Sequence, residues 1–246
     1  MDATFLLLAF IVLVSQTVST VAGFGANIIT LALGAHLYPL EFLVPVVVPL
    51  NLLLNLYLVA SHHGDIDRKT LKYRMLPFMC SGLLLGLTFF FLTPSQELKW
   101  FFGIFVLVIA ARELAGLLLQ KQNYCVQPLS LIKSALWLVS AGIIHGVYAS
   151  GGPLLVYFAS RQITDKSIFR STLAALWLFL SIFLLVAYFW GGRVTPETLK
   201  ITALLLPGLA AGVITGEYLH MRIEQRTFRI FIFILLFFAG VSLVAS

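Results

Sequence analysis

Ser150-Gly151-Gly152-Pro153 interrupts an apolar run that extends from Leu131 to Ala159, and the residue types at the interruption suit an anion. Glycines let backbone N–H groups approach a ligand closely, proline opens a helix without wasting a donor, and serine is a natural N-cap. A helix start also presents free N–H groups and the positive end of a dipole to negative charge. His145, one turn earlier, is the first candidate for a titrating group, with a structural histidine as the alternative. Tyr148, Tyr157 and Trp177 are candidate cavity walls or plain aromatic packing. A second interruption, Gly23-Phe24-Gly25-Ala26-Asn27, separates Thr4 to Val21 from Ile28 to Leu33. There Gly23 and Gly25 permit unusual φ/ψ, and Asn27 offers a cap or an amide to a ligand; a packing kink is the alternative.

Hydrocarbon cannot hydrogen-bond a non-helical backbone, so such breaks survive at membrane depth only where protein or a polar cavity receives them. Paired breaks at matching places of two halves are the sequence signature of a transporter site. The two are expected to meet near mid-membrane. Asn51 and Asn55, at i and i+4, share a helix face; Asn51 lies 12 residues past Pro39, about 18 Å along a helix and hence near the bilayer centre. They are expected to donate to the substrate, or else to an interhelical hydrogen bond. Pro45 and Pro49 free carbonyls in the same helix or simply bend it. His62, His63, Asp65 and Asp67 fall in one loop, either a metal site or a hydrated polar loop.

The elements that must position these residues are membrane helices. The chain has 246 residues, 60% hydrophobic and 11% charged, with a mean hydropathy of +1.01, which places it among polytopic membrane proteins and leaves no room for a soluble domain. Spanning-length stretches run from Phe42 to Ala60, Met75 to Leu92, Trp100 to Leu119, Ile168 to Trp190, Ile201 to Leu219 and Phe228 to Val244, besides the two broken segments. The start lacks a basic region, so the first segment is expected to remain in the mature protein. Cys80 and Cys125 have no metal or redox spacing and read as unpaired thiols. No cofactor and no nucleic acid are expected: the net charge of +6 sits in short loops, where orientation explains it.

Eight full crossings would divide the basic residues 9 to 7 and orient nothing. If both broken segments are hairpins, 13 of the 16 Lys and Arg share one face and only Lys99, Arg193 and Lys200 lie opposite. The positive-inside rule then predicts an all-α fold with both termini periplasmic. It contains two inverted repeats, 1–120 and 131–246, joined by a 121–130 loop in a single membrane domain, each a re-entrant broken hairpin plus three transmembrane helices. Leu76-Pro77, Gly82 and Gly86 match Leu206-Pro207, Gly212 and Gly216 at a constant offset of 130, and the breaks lie 126 apart. The glycines at 208, 212 and 216 read as helix packing. Arg161 and Arg170 flank the exit of the second hairpin, as anion attractors or as ordinary anchors.

The pattern Ala22-Gly23-Phe24-Gly25-Ala26-Asn27 with Pro39 and Asn51, repeated loosely from Gly146 to Pro153, resembles the TauE/SafE family of sulfite and organosulfur anion permeases over nearly the whole chain. That resemblance implies a multi-pass inner-membrane carrier, not an enzyme, for sulfite, sulfonates or sulfo- and thio-carboxylates. Export is the economical direction, because one net negative charge moving outward gains about 2.3 kcal/mol per 100 mV. Uptake would need a coupled cation, a proton or Na+, with His145 the first residue to suspect as proton carrier. The rival readings are a divalent-metal permease or an integral-membrane enzyme built on the His62/His63/Asp65/Asp67 loop.

Overall fold

The computed structural model describes residues 3–22, 24–119, 129–163, 165–220 and 225–245. Gly23, Cys125 and most of the 121–130 connection lie outside them. The described residues are all-helical, without a strand: α1 Ala3–Ala22, α2 Ala26–Gly34, α3 Leu40–Ser61, α4 Arg68–Thr70, α5 Leu76–Leu92, α6 Ser95–Leu119, α7 Leu131–Tyr148, α8 Gly152–Ala159, α9 Lys166–Trp190, α10 Pro196–His220 and α11 Gln225–Ala245. Among the described residues seven helices are long and apolar enough to cross a membrane, the element that satisfies every backbone group internally in hydrocarbon.

Both broken segments fold back on themselves. Ser15 of α1 and Thr30 of α2 share a 2.6 Å hydrogen bond, whereas residues 15 apart in an unbroken helix lie about 22 Å apart. In the other segment the rings of Trp137 and Tyr157 lie 4.4 Å apart. These contacts make α1–α2 and α7–α8 antiparallel hairpins.

The helices form two compact units. The first gathers α1, α2, the start of α3, α6, α10 from Ala203 onward, and α11; the second gathers the rest of α3, α4, α5, α7, α8, α9 and the start of α10. In the second unit Gly82 and Gly86 of α5 face Gly142 and Gly146 of α7 so closely that a methyl on any of the four would run into a carbonyl of the opposite helix. In the first, Gly212 and Gly216 of α10 face Gln16 and Thr20 of α1. The partners differ by 130 and by 126 positions, the same two offsets that relate the sequence halves, so one packing register occurs in both units. Small residues serve this purpose in membranes, where helices gain from close van der Waals approach rather than from excluding water.

Between α3 and α5 the chain turns through short helices. Asp67 caps α4, its carboxylate accepting from the Lys69 and Thr70 N–H groups at 3.1 and 3.0 Å, while its own N–H donates to Thr172 of α9 at 2.9 Å. Hydrogen bonds, first from the Thr70 side chain, hold the Asp67 carboxyl below its ordinary value. The cap is therefore fully formed above the ordinary carboxylate range and is lost only as pH falls through the lowered value. Asp67→Ala is expected to reduce stability by about 1 kcal/mol, read as a lower unfolding midpoint in detergent, with anion affinity unchanged.

Candidate functional site

The second break is built by the way α7 ends. Ala149 takes a left-handed conformation with φ 50°, a C-cap position usually given to glycine, and its N–H returns to His145 O at 2.7 Å. For a residue with a Cβ this conformation costs about 1 kcal/mol or more. Gly151 then caps α8 with no side-chain bond, and Pro153 lies in the first turn. Ser150 is not the N-cap, contrary to the sequence expectation, so its hydroxyl is not spent on the helix. A methyl on Gly151 would strike the Ala141 carbonyl and lie 3.0 Å from His145 Cβ, which shows how tightly the break folds against α7. The first accepted bond of α8 is Leu155 N–H to Gly151 O at 3.2 Å, and N–H groups earlier in the turn have no acceptor within the helix.

Unmet polar atoms collect around this helix start. Ser150 is 4% exposed and His145 3% exposed; the Ser150 hydroxyl and both ring nitrogens of His145 are without a hydrogen-bond partner. The imidazole stacks on Trp177 with ring centroids 4.9 Å apart, and Tyr148 is buried beside it in sequence. Buried polar groups are nearly always paired, and an orphan costs about 1–3 kcal/mol. No carboxylate balances the site: α5, α7, α8 and α9 contain no Asp or Glu. The four acids of the second unit, Asp65, Asp67, Asp165 and Glu197, sit in loops or at helix starts. Free N–H groups, a hydroxyl and an imidazole without a carboxylate can receive an anion.

The first break is in the other unit. Gly25, with φ 108°, precedes α2 as its cap, again without a side-chain bond, and Asn27 is half-buried in the first turn rather than at the cap. Below it α1 carries a polar stripe that the sequence reading passed over. Ser15 bonds Thr30 and also Val12 O at 2.9 Å, Thr17 donates to Leu13 O and Thr20 to Gln16 O. Gln16, 1% exposed, leaves Oε1 without a partner. Five polar side chains between positions 15 and 20 of an apolar helix are the signal that would have found it.

Asn51 and Asn55 are both buried, and each Nδ2 donates within α3, to Val47 O at 2.9 Å and Asn51 O at 2.7 Å. One N–H of each amide is thereby committed to its own helix rather than to a neighbour. The rival metal loop does not converge. Among the described residues no three His, Cys, Asp or Glu side chains come together; Asp65 instead accepts from Ser167 at 3.1 Å, and His62 and His63 lie against carbonyls of α3 at 3.4 and 3.3 Å. An open groove of about 450 Å³ between Leu33, His36 and the Phe231–Ser242 face of α11 is almost wholly apolar. With no array of donors, it is not a candidate for the site.

The family model described as sulfite exporter TauE/SafE matches residues 7–243. No curated protein and no solved structure matches the chain.

Proposed function

Because the chain belongs to the sulfite exporter TauE/SafE family, we propose that it exports small sulfur-containing oxyanions, sulfite or the related sulfonates and sulfo- or thio-carboxylates, across a bacterial inner membrane. The anion binds at the start of α8, held by backbone N–H groups near Gly151 and Gly152, by the Ser150 hydroxyl and by His145. In the same unit the α3 amides of Asn51 and Asn55 add side-chain donors, and the first break, at Gly25 and Asn27, is the corresponding helix start of the first unit. Transport proceeds by alternating access between two inverted repeats, a reading supported by the packing register that occurs once in each unit. Both termini then face the periplasm, as the basic loops require.

The observation that carries this reading is the cluster of unpartnered polar atoms at Ser150 and His145, buried where a helix start favours negative charge. Neutral donors hold an oxyanion without fixing it to a buried guanidinium, which suits a site that must also release. The inside-negative potential supplies the driving force, about 2.3 kcal/mol per 100 mV for each net negative charge moved outward.

Ser150→Ala separates function from structure. Its hydroxyl has no partner in the empty protein, so the unfolding midpoint without anion is expected to stay the same or rise. Sulfite affinity is expected to fall about ten-fold, the loss of one hydrogen bond to a charged group. Unchanged affinity in the folded variant would remove Ser150 from the site.

A further inference from the structure

At the far end of the second hairpin, where α8 leads into α9, Arg74, Arg161 and Gln162 share a second set of unspent donors. Pro77 has no N–H and sits just past a π-helical turn, Leu71–Met75, a wide turn of the kind that accommodates such a loss and often marks functional places. The turn carries Arg74, whose Nη1 donates to Gln162 Oε1 at 3.0 Å. The other half of that amide, Nε2, is shielded from solvent and has no partner. Next to it in the chain, the Arg161 guanidinium lies flat on Tyr157, 3.8 Å from the ring centroid, and donates once, to Tyr157 O at 3.2 Å. Among the described residues no ion pair joins either arginine to a carboxylate. Asp65, Asp67 and Asp165, the acids of the loops that lead into α4 and α9, are occupied by Ser167, by the start of α4 and by the start of α9.

The Arg74 guanidinium, bonded through one N–H to a Gln162 amide whose own donor is an orphan, together with Arg161, the adjacent residue in the chain, which spends one N–H on Tyr157 O, offers uncommitted donors suited to a compact oxyanion. The first hairpin carries Ala35 and His36 at the positions 126 earlier, so this arrangement belongs to one hairpin alone. We propose that Arg74, Arg161 and Gln162 form a second oxyanion site, separate from the break, that takes a sulfite- or phosphate-type group, either free in solution or on a lipid headgroup. Occupied by the free anion, it concentrates substrate at one end of the carrier.

Trp137, 4.4 Å from the Tyr157 ring, provides a local fluorescence reporter. The test uses the full chain with His145→Phe, which disables the break site, in nanodiscs of phosphatidylcholine or phosphatidylglycerol titrated with sulfite. A saturable tryptophan response is expected in phosphatidylcholine, weakened at least ten-fold by Arg161→Gln and by Gln162→Ala. The same response in both lipids identifies the free anion as occupant; its disappearance in phosphatidylglycerol identifies the headgroup. Absence of a saturable response in phosphatidylcholine, or one that survives both substitutions, overturns this second site and leaves the break site standing.

Discussion

Gly86→Leu is expected to abolish folded protein altogether. A single methyl at Gly86 already runs into the Ile143 carbonyl of α7, and neither helix backbone can yield without separating the pair that forms the spine of the second unit. Gly86→Ala is therefore expected to cost about 3 kcal/mol, the upper end for overpacking, whereas Gly64→Ala, with open space around the added carbon, is expected to be silent. Size-exclusion profiles and unfolding midpoints in detergent decide it. A monodisperse Gly86→Leu protein with the parent midpoint would mean that α5 and α7 do not pack through their glycines.

His145→Phe is expected to give the largest loss of function without loss of fold. Phenylalanine keeps the stacking partner of Trp177 and removes two buried nitrogens that no protein group satisfies. The empty protein should gain stability, since an orphaned buried polar group costs about 1–3 kcal/mol, while sulfite affinity should fall up to about a hundred-fold, the upper value for a hydrogen bond to a charged partner. A variant that loses stability together with affinity would make His145 a structural residue.

Much of the architecture was legible because membrane helices announce themselves locally. The stretch Met75 to Leu92 became α5 at Leu76–Leu92, and Ile168 to Trp190 became α9 at Lys166–Trp190, since about 20 apolar residues are what a bilayer demands. The breaks were legible for the same reason, as glycine and proline interrupt a run that nothing else interrupts. What the sequence did not reveal depends on contacts between distant positions. Ser150 was expected to cap α8, but the left-handed Ala149 moves the cap to Gly151 and leaves the hydroxyl bare. One N–H of each of the Asn51 and Asn55 amides is spent on its own helix, a bond that no spacing rule reveals. Arg74 and Gln162 are 88 residues apart, and no local pattern joins them.

Sulfite efflux from proteoliposomes under an imposed inside-negative potential tests the central claim most directly. The parent protein is expected to accelerate efflux over protein-free liposomes and to do so more strongly as the potential grows. Ser150→Ala and His145→Phe, folded and reconstituted equally, should slow it about ten-fold and up to a hundred-fold, while His62→Ala and His63→Ala should match the parent. Efflux no faster than from empty liposomes, or equal rates in the parent and both site variants, would contradict an oxyanion exporter that works through the α8 break.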